Sequence, residues 1–328
     1  MEPLSPHSLR QSLTVAIVAL LVVPSGAFAA ETTDGEPFDE GAVDFARTTE
    51  EMKGYVLASV SAAKSGQDDL AKELAAEPYH EHWSAVAPQL TEANATVADS
   101  LKSVLGSLPT TVDEKSPAEY EAYVESEVLP LLASAEASVI GEETASSTMF
   151  QARVVHELVQ RSVHEYREGV SASGNVTEAG EVLAAEGFAE RAEARYTDDI
   201  STEISDHANE EIEELFDTLH QAMNATESPE SVERYAASIS AELAEYTGIE
   251  VEQTGSTEAI ERIEADLDEA VETYENGHVA EARAIVKQTY LSNFEGVEGT
   301  LIEETPELVE DLEAAFNEDL PSLMDEGA

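Results

Sequence analysis

Residues 150–170 read FQARVVHELVQRSVHEYREGV, and their spacing decides the fold class. Val155, Val159, Val163, Tyr166 and Val170 recur at intervals of three and four, so they line one face of a helix and must meet a core. His164 shares the opposite, polar face with Glu157, Arg161 and Glu168, and His156 stands about 60° from the apolar stripe, at its boundary. Working outward, the same period continues. Ala and Glu are abundant, aromatics amount to 6%, and no alternating β-branched run appears. The spacing predicts helices around 117–135, 146–171, 177–196, 203–223 and 229–246. Ser116-Pro117-Ala118-Glu119 and Ser228-Pro229-Glu230-Ser231 read as helix starts, a capping Ser followed by Pro at the first helical position. Turns are expected at Ser107-Leu108-Pro109, Ser116-Pro117, Ser171 to Asn175, Ser228-Pro229 and Thr254-Gly255-Ser256. The fold class is all-α, an antiparallel helical bundle or bundles joined by short loops.

Charge narrows the partners. The 328 residues hold 70 Asp plus Glu against 16 Lys plus Arg, a formal net charge of -54. Such a surface repels nucleic acid and anionic lipid. It attracts metal cations or basic proteins, but the plainer reading is adaptation to strong salt, where long-range repulsion is screened and a carboxylate surface stays hydrated. Apolar residues at 42% suffice for a core.

The N-terminus carries Arg10, the apolar run LTVAIVALLVV from Leu13 to Val23, a break at Pro24-Ser25-Gly26, and the small-x-small pattern Ala27-Phe28-Ala29. These are the parts of a cleaved secretory signal peptide over 1–29, of the Sec type since no twin arginine is present. The run is too short for a membrane anchor, which needs about 20 apolar residues, and no later stretch reads as a transmembrane helix. The expected location is extracellular or at the cell surface. The chain has no cysteine, so neither disulfides nor thiolate metal sites arise. Three N-x-T sequons follow, at Asn94, Asn175 and Asn224.

An internal repeat is visible at a shift of 211 residues. It pairs Gly66 with Gly277, Ala71 with Ala282, Tyr79 with Tyr290, Trp83 with Phe294, Val86 with Val297 and Leu90 with Leu301. The repeat covers about 55–109 and 266–321. The expected organisation is a signal peptide over 1–29, a leader over 30–37, repeat copy 1 over 38–110, a middle helical region over 117–250 and repeat copy 2 over 257–322.

Candidate metal ligands come from two places. In YLSNFEGVEGTLIEETPELVEDLEAAF, residues 290–316, Tyr290, Phe294, Val297 and Leu301 form a packing face. Glu295 and Glu298 lie beside it at i,i+3, close enough for both carboxylates to reach one cation. The first copy has Ser84 and Ala87 there, so packing does not require glutamates, although a solvated acidic face is the plainer reading. Histidines are the other candidates, since imidazole brings transition-metal selectivity to a carboxylate-rich chain. They are His156, and His80 and His82 in PYHEHW, residues 78–83. The i,i+2 pair points to opposite sides of a regular helix, so joint chelation needs irregular backbone near Pro78. No HExxH, glycine-rich phosphate loop or GxSxG occurs, and no enzyme is expected.

HEYREGVSASGNVTEAGEVLAAEGFAERAEARY, residues 164–196, and the 290–316 stretch together resemble the extracytoplasmic helical domain of prokaryotic high-affinity iron permeases, the oxidase-dependent iron transporter family. The resemblance spans roughly 146–196 and 259–321. It departs where the permeases carry REGLE-type transport glutamates in membrane helices, because YREGV at 166–170 belongs to a soluble helix. What the resemblance implies is a free-standing accessory that binds iron through Glu295 and Glu298 and works with a membrane iron permease or an extracytoplasmic redox protein. The alternative is a cell-surface structural or protein-interaction domain without metal.

Overall fold

The computed structural model describes residues 38–249, 251, 256–275, 277–290, 312, 314–316 and 320–327. The signal-peptide segment and the pair Glu295 and Glu298 lie outside them. Among the described residues the chain is helical, with one isolated antiparallel bridge between Val170 and Val176 and no strand.

The order is α1 (Glu40–Lys64), α2 (Asp68–Glu77), a π-turn (Pro78–His82), α3 (Trp83–Glu114), α4 (Pro117–Tyr123), a second π-turn (Val124–Val128) and α5 (Leu129–Val139). A short α6 (Glu142–Ala145) leads to α7 (Thr148–Gly169), α8 (Ala179–Asp199), α9 (Asp206–Asn224) and α10 (Pro229–Thr247). The C-terminal part holds α11 (Ser256–Glu275), α12 (Val279–Thr289) and α13 (Leu320–Gly327). Two compact units emerge. One takes in Glu36–Ala236 and Tyr246–Ile249, the other Ala237–Glu245 and the chain from Glu250.

Local chemistry accounts for the helix starts. Asp39 caps α1 through Gly41 N at 3.0 Å, and Ser147 and Ser205 cap α7 and α9. At α4 the expected start is a full capping box: Ser116 accepts from Glu119 N, and the Glu119 carboxylate accepts from Ser116 N at 3.1 Å. One expected turn is not there. α3 continues through Ser107-Leu108-Pro109 to Glu114, because Leu105, Leu108 and Val112 are buried on one face and their packing outweighs the one backbone bond that proline removes. The chain departs from helical geometry in α3 earlier, at Asn94 (φ -155°, ψ 87°).

α1 is the central helix of the first unit. From Val43 to Ala63 nearly every residue is buried, charged ones included. α8 crosses it almost backbone to backbone: a Cβ on Gly187 would stand 2.7 Å from Gly54 O, and one on Gly54 would stand 2.6 Å from the Phe188 ring. α7 lies against α8 and α1, with Phe150, Val154, Leu158 and Tyr166 buried.

At the two ends of the 211-residue shift the same hydrogen bonds recur. Gly66 N donates to Ala63 O and Gln67 N to Ala62 O; Gly277 N donates to Tyr274 O and His278 N to Thr273 O. Residues 291–311 of the second stretch lie outside the described residues.

Candidate metal centre

The chain's reversal after α7 builds the site. Thr177 N donates to Gly169 O at 2.8 Å and Glu178 N to the same oxygen at 3.3 Å, so α8 starts directly beside the last turn of α7. The approach is close enough that a Cβ on Gly169 would stand 2.8 Å from Val182 Cγ2 and 2.9 Å from its nitrogen. That crossing sets Glu181, on the first turn of α8, against Glu165 and Glu168, one turn apart on α7. Carboxylate oxygens of the three lie within 4.8 Å of one another. Among the described residues this is the group of three or more acidic or imidazole side chains able to share one cation. Glu165 is buried, Glu181 half-buried and Glu168 exposed, so the cluster opens on one side to solvent.

Its electrostatics are those of a crowded pair. Burial first, then a hydrogen bond with Glu181, pushes the Glu165 carboxyl up to about 8, against the pull of Arg161. Arg161 Nη2 donates to Glu165 Oε1 at 2.7 Å, while its Nε stands 3.3 Å from Glu51 Oε1 and has no hydrogen-bond partner. Burial also raises Glu77, with Glu81 and Glu181 adding to it. The Tyr55 phenol is raised as well, by burial and then by Glu165, Glu181 and Glu77. These groups form one acidic basin with Arg161 at its edge.

A second set of charges lies deeper and is internally matched. Glu50, on α1, accepts from Lys53 Nζ at 2.6 Å, Arg191 Nε at 2.7 Å and Arg195 Nη1 at 3.1 Å. Arg195 also donates to Gln151 at 2.6 Å and to Glu136 at 2.7 Å. Burial alone would raise Glu50, but Lys53, Arg191 and Arg195 overcome it and hold the carboxyl at about 2. Its neighbour Glu51 pairs with Arg47, Arg161 and His82, the last with Nδ1 at 3.3 Å. With three cations on Glu50 and its acceptors filled, this set holds the helices together rather than offering ligands.

The histidines are placed separately. The backbone is irregular at Pro78, as joint chelation required, but the π-turn leaves His82 inward and His80 outward. His82 packs against Tyr55 with ring centroids 5.3 Å apart and the planes tilted by 43°, and exposed His80 meets the Tyr79 ring at 5.8 Å. His156 is half-buried on α7, where burial and then Arg153 push its imidazole down to about 4, so it is neutral at pH 7. None of the three belongs to the carboxylate cluster.

Sequence reasoning missed all three as ligands: it puts Glu168 on the polar face and singles out neither Glu165 nor Glu181. At 100° per residue Glu165 lies roughly 120° from the centre of the α7 stripe, which reads as solvent-facing. It is buried because α7 is covered on more than one side. The signal available was the pairing Arg161 and Glu165 at i,i+4 and Glu165 and Glu168 at i,i+3.

Residues 141–250 match the family described as the iron permease-associated 4-helix bundle domain. The matched stretch contains the four helices α7 to α10 and all three glutamates of the cluster, and it is a relative of the extracytoplasmic helical domain of iron permeases. No curated protein and no solved structure matches the chain. No helix among the described residues is long and apolar enough to cross a membrane.

Proposed function

We propose that the protein is an exported iron-binding accessory of an iron permease system, and that Glu165, Glu168 and Glu181 hold the iron. The observation that carries this reading is the convergence of three carboxylates inside the very stretch that matches a permease-associated domain. Carboxylate oxygens suit a hard cation. A site open on one side keeps positions for water, so the ion exchanges readily, as a carrier that hands its cargo to a permease requires. Binding and release are the activity; no bond of a substrate is made or broken. Export rests on the N-terminal run described above, and the working partner is a membrane permease or an extracytoplasmic redox protein.

The test is titration of the purified chain with ferrous iron under anaerobic conditions and with chelated ferric iron. Glu165→Gln, Glu168→Gln and Glu181→Gln combined should lower affinity at least about a hundred-fold, since each opposite charge at contact is worth about 1 kcal/mol even in water, with helical circular dichroism unchanged. Glu295→Ser with Glu298→Ala forms the second arm. Loss of binding in that pair and not in the triple variant would move the site to the C-terminal stretch. Wild-type binding in both would put the iron at neither place, and no binding by the unsubstituted chain would leave the protein-interaction reading.

A further inference from the structure

Among the described residues, five have a backbone in the left-handed region. Four are glycine: Gly66, Gly174, Gly248 and Gly277. The fifth is Thr226, with φ at 52°. A β-branched side chain there is strained. The position itself is ordinary. α9 ends in a Schellman turn in which Thr226 N donates to Met223 O and Glu227 N to Ala222 O, and the residue at that point of the motif is usually glycine. Folding therefore favours glycine at 226, and hydrogen bonding does not explain the threonine, whose hydroxyl donates to its own neighbour, Ala225 O, at 2.8 Å. Its place in the sequence does. Thr226 is the third residue of Asn224-Ala225-Thr226, and that hydroxyl is what makes Asn224 an acceptor.

We infer that Asn224 and Asn175 are sites of N-linked glycosylation and that Asn94 is not. Asn224 is exposed at the end of α9, its amide held only by His220 O one turn earlier. Asn175 is exposed in the α7–α8 loop, its amide on Ser173 Oγ. The residue that follows it, Val176, is the one exposed large apolar side chain among the described residues, a surface that a sugar would cover. The two loops touch: a Cβ on Gly174 would stand 2.6 Å from Thr226 O, so both acceptors decorate the same end of the unit. Asn94 differs. It sits half-buried at the break in α3, accepts from Val97 N and reaches Ser138 on α5 at 3.3 Å. In the transfer, a bond forms between the asparagine Nδ2 and C1 of the sugar of a lipid-phosphate-linked oligosaccharide. The C1–O bond to phosphate breaks, the phosphate leaves with that electron pair, and the amide proton passes to a base on the transferase. The inference rests on export, since donor and transferase act across the membrane.

The experiment is peptide mass spectrometry of the full chain from its native host, read with the N-terminus of the same sample. Sugar masses on the Asn175 and Asn224 peptides, none on Asn94, and their loss in Asn175→Gln and Asn224→Gln are expected. Thr226→Ser should keep the Asn224 sugar and Thr226→Gly should lose it. With both chains made in a host lacking the transferase, Thr226→Gly should melt a few degrees higher than wild type. Unmodified peptides on a chain whose leader is gone would overturn this inference and leave export standing. Unmodified peptides on a chain that retains its leader would overturn both. Equal occupancy of Asn94, or a Thr226→Gly chain no more stable than wild type, would overturn the structural selection.

Discussion

Arg161 Nη2 lies 2.7 Å from Glu165 Oε1, so a guanidinium already stands beside the carboxylates that would take a cation. A bound metal and Arg161 compete for the same oxygen. Arg161→Gln should therefore raise iron affinity by about ten-fold, the effect of roughly 1.4 kcal/mol of relieved repulsion. It should also lower the melting temperature, because Glu51 loses a partner. Calorimetric titration checks the first and a thermal melt the second. Weaker binding would mean that Arg161 orients Glu165 rather than opposing the metal.

Stability should fall on both sides of a maximum in pH. Glu165, raised to about 8 when folded, binds its proton more tightly than in the unfolded chain. That contribution is full below the ordinary carboxylate value near 4.5 and is lost as pH rises through about 8. Glu50 and His156 act the other way. Glu50, held at about 2, contributes above 4.5 and less as pH falls toward 2; neutral His156 contributes above 6.5 and less as pH falls toward 4. Denaturant unfolding from pH 3 to pH 9, on the order of one measurement per unit, gives the curve. Glu165→Gln should flatten the alkaline limb and His156→Gln part of the acid limb.

The deep charge set predicts a large, localised loss. Glu50→Gln removes the anion shared by Lys53, Arg191 and Arg195 and leaves Glu136 alone to offset Lys53 and Arg195. The cost should be about 3–5 kcal/mol. Arg191→Gln should cost less, since its side chain is partly exposed and Arg195 and Lys53 still serve Glu50. Urea denaturation in high salt distinguishes the two.

Gly169→Ala should couple fold to site. The new Cβ meets Val182 backbone and side chain below 3 Å, so α8 must shift, at about 1–3 kcal/mol. Glu181 moves with it, and iron affinity should drop while Glu165 and Glu168 remain. Gly141→Ala, whose Cβ would face open space, is the matched control and should change neither.

The α class was legible because periodicity in residues 150–170 survives on the surface-facing side, and Ser116 to Glu119 carries its cap in four letters. The five helices expected between 117 and 246 fall within a few residues of their observed places, with the first of them interrupted by the π-turn at Val124–Val128. Pro109 misled because a proline is read locally, whereas the packing of Leu105 and Leu108 is not local. The site was not legible for a related reason. Glu165 and Glu181 are 16 positions apart, outside the reach of any helical spacing, and only the close crossing at Gly169 joins them. In TTEEMK, residues 48–53, glutamates at the centre of α1 look like a solvated face until Arg191 and Arg195 arrive from α8.

That arrival has a consequence for the rates at which the protein folds and unfolds. Glu50 meets Arg191 and Arg195 across 141 and 145 residues of chain, and Arg195 meets Glu136 across 59. Contacts of such sequence separation form late, after loop closure has been overcome, and mark a high contact order for a helical protein. Until α8 docks, Glu50 on α1 has only Lys53 beside it, so an isolated N-terminal half gains little from burying that helix. Interactions absent from the transition state slow unfolding more than they speed folding. The unit should therefore assemble slowly and, once closed, reopen rarely.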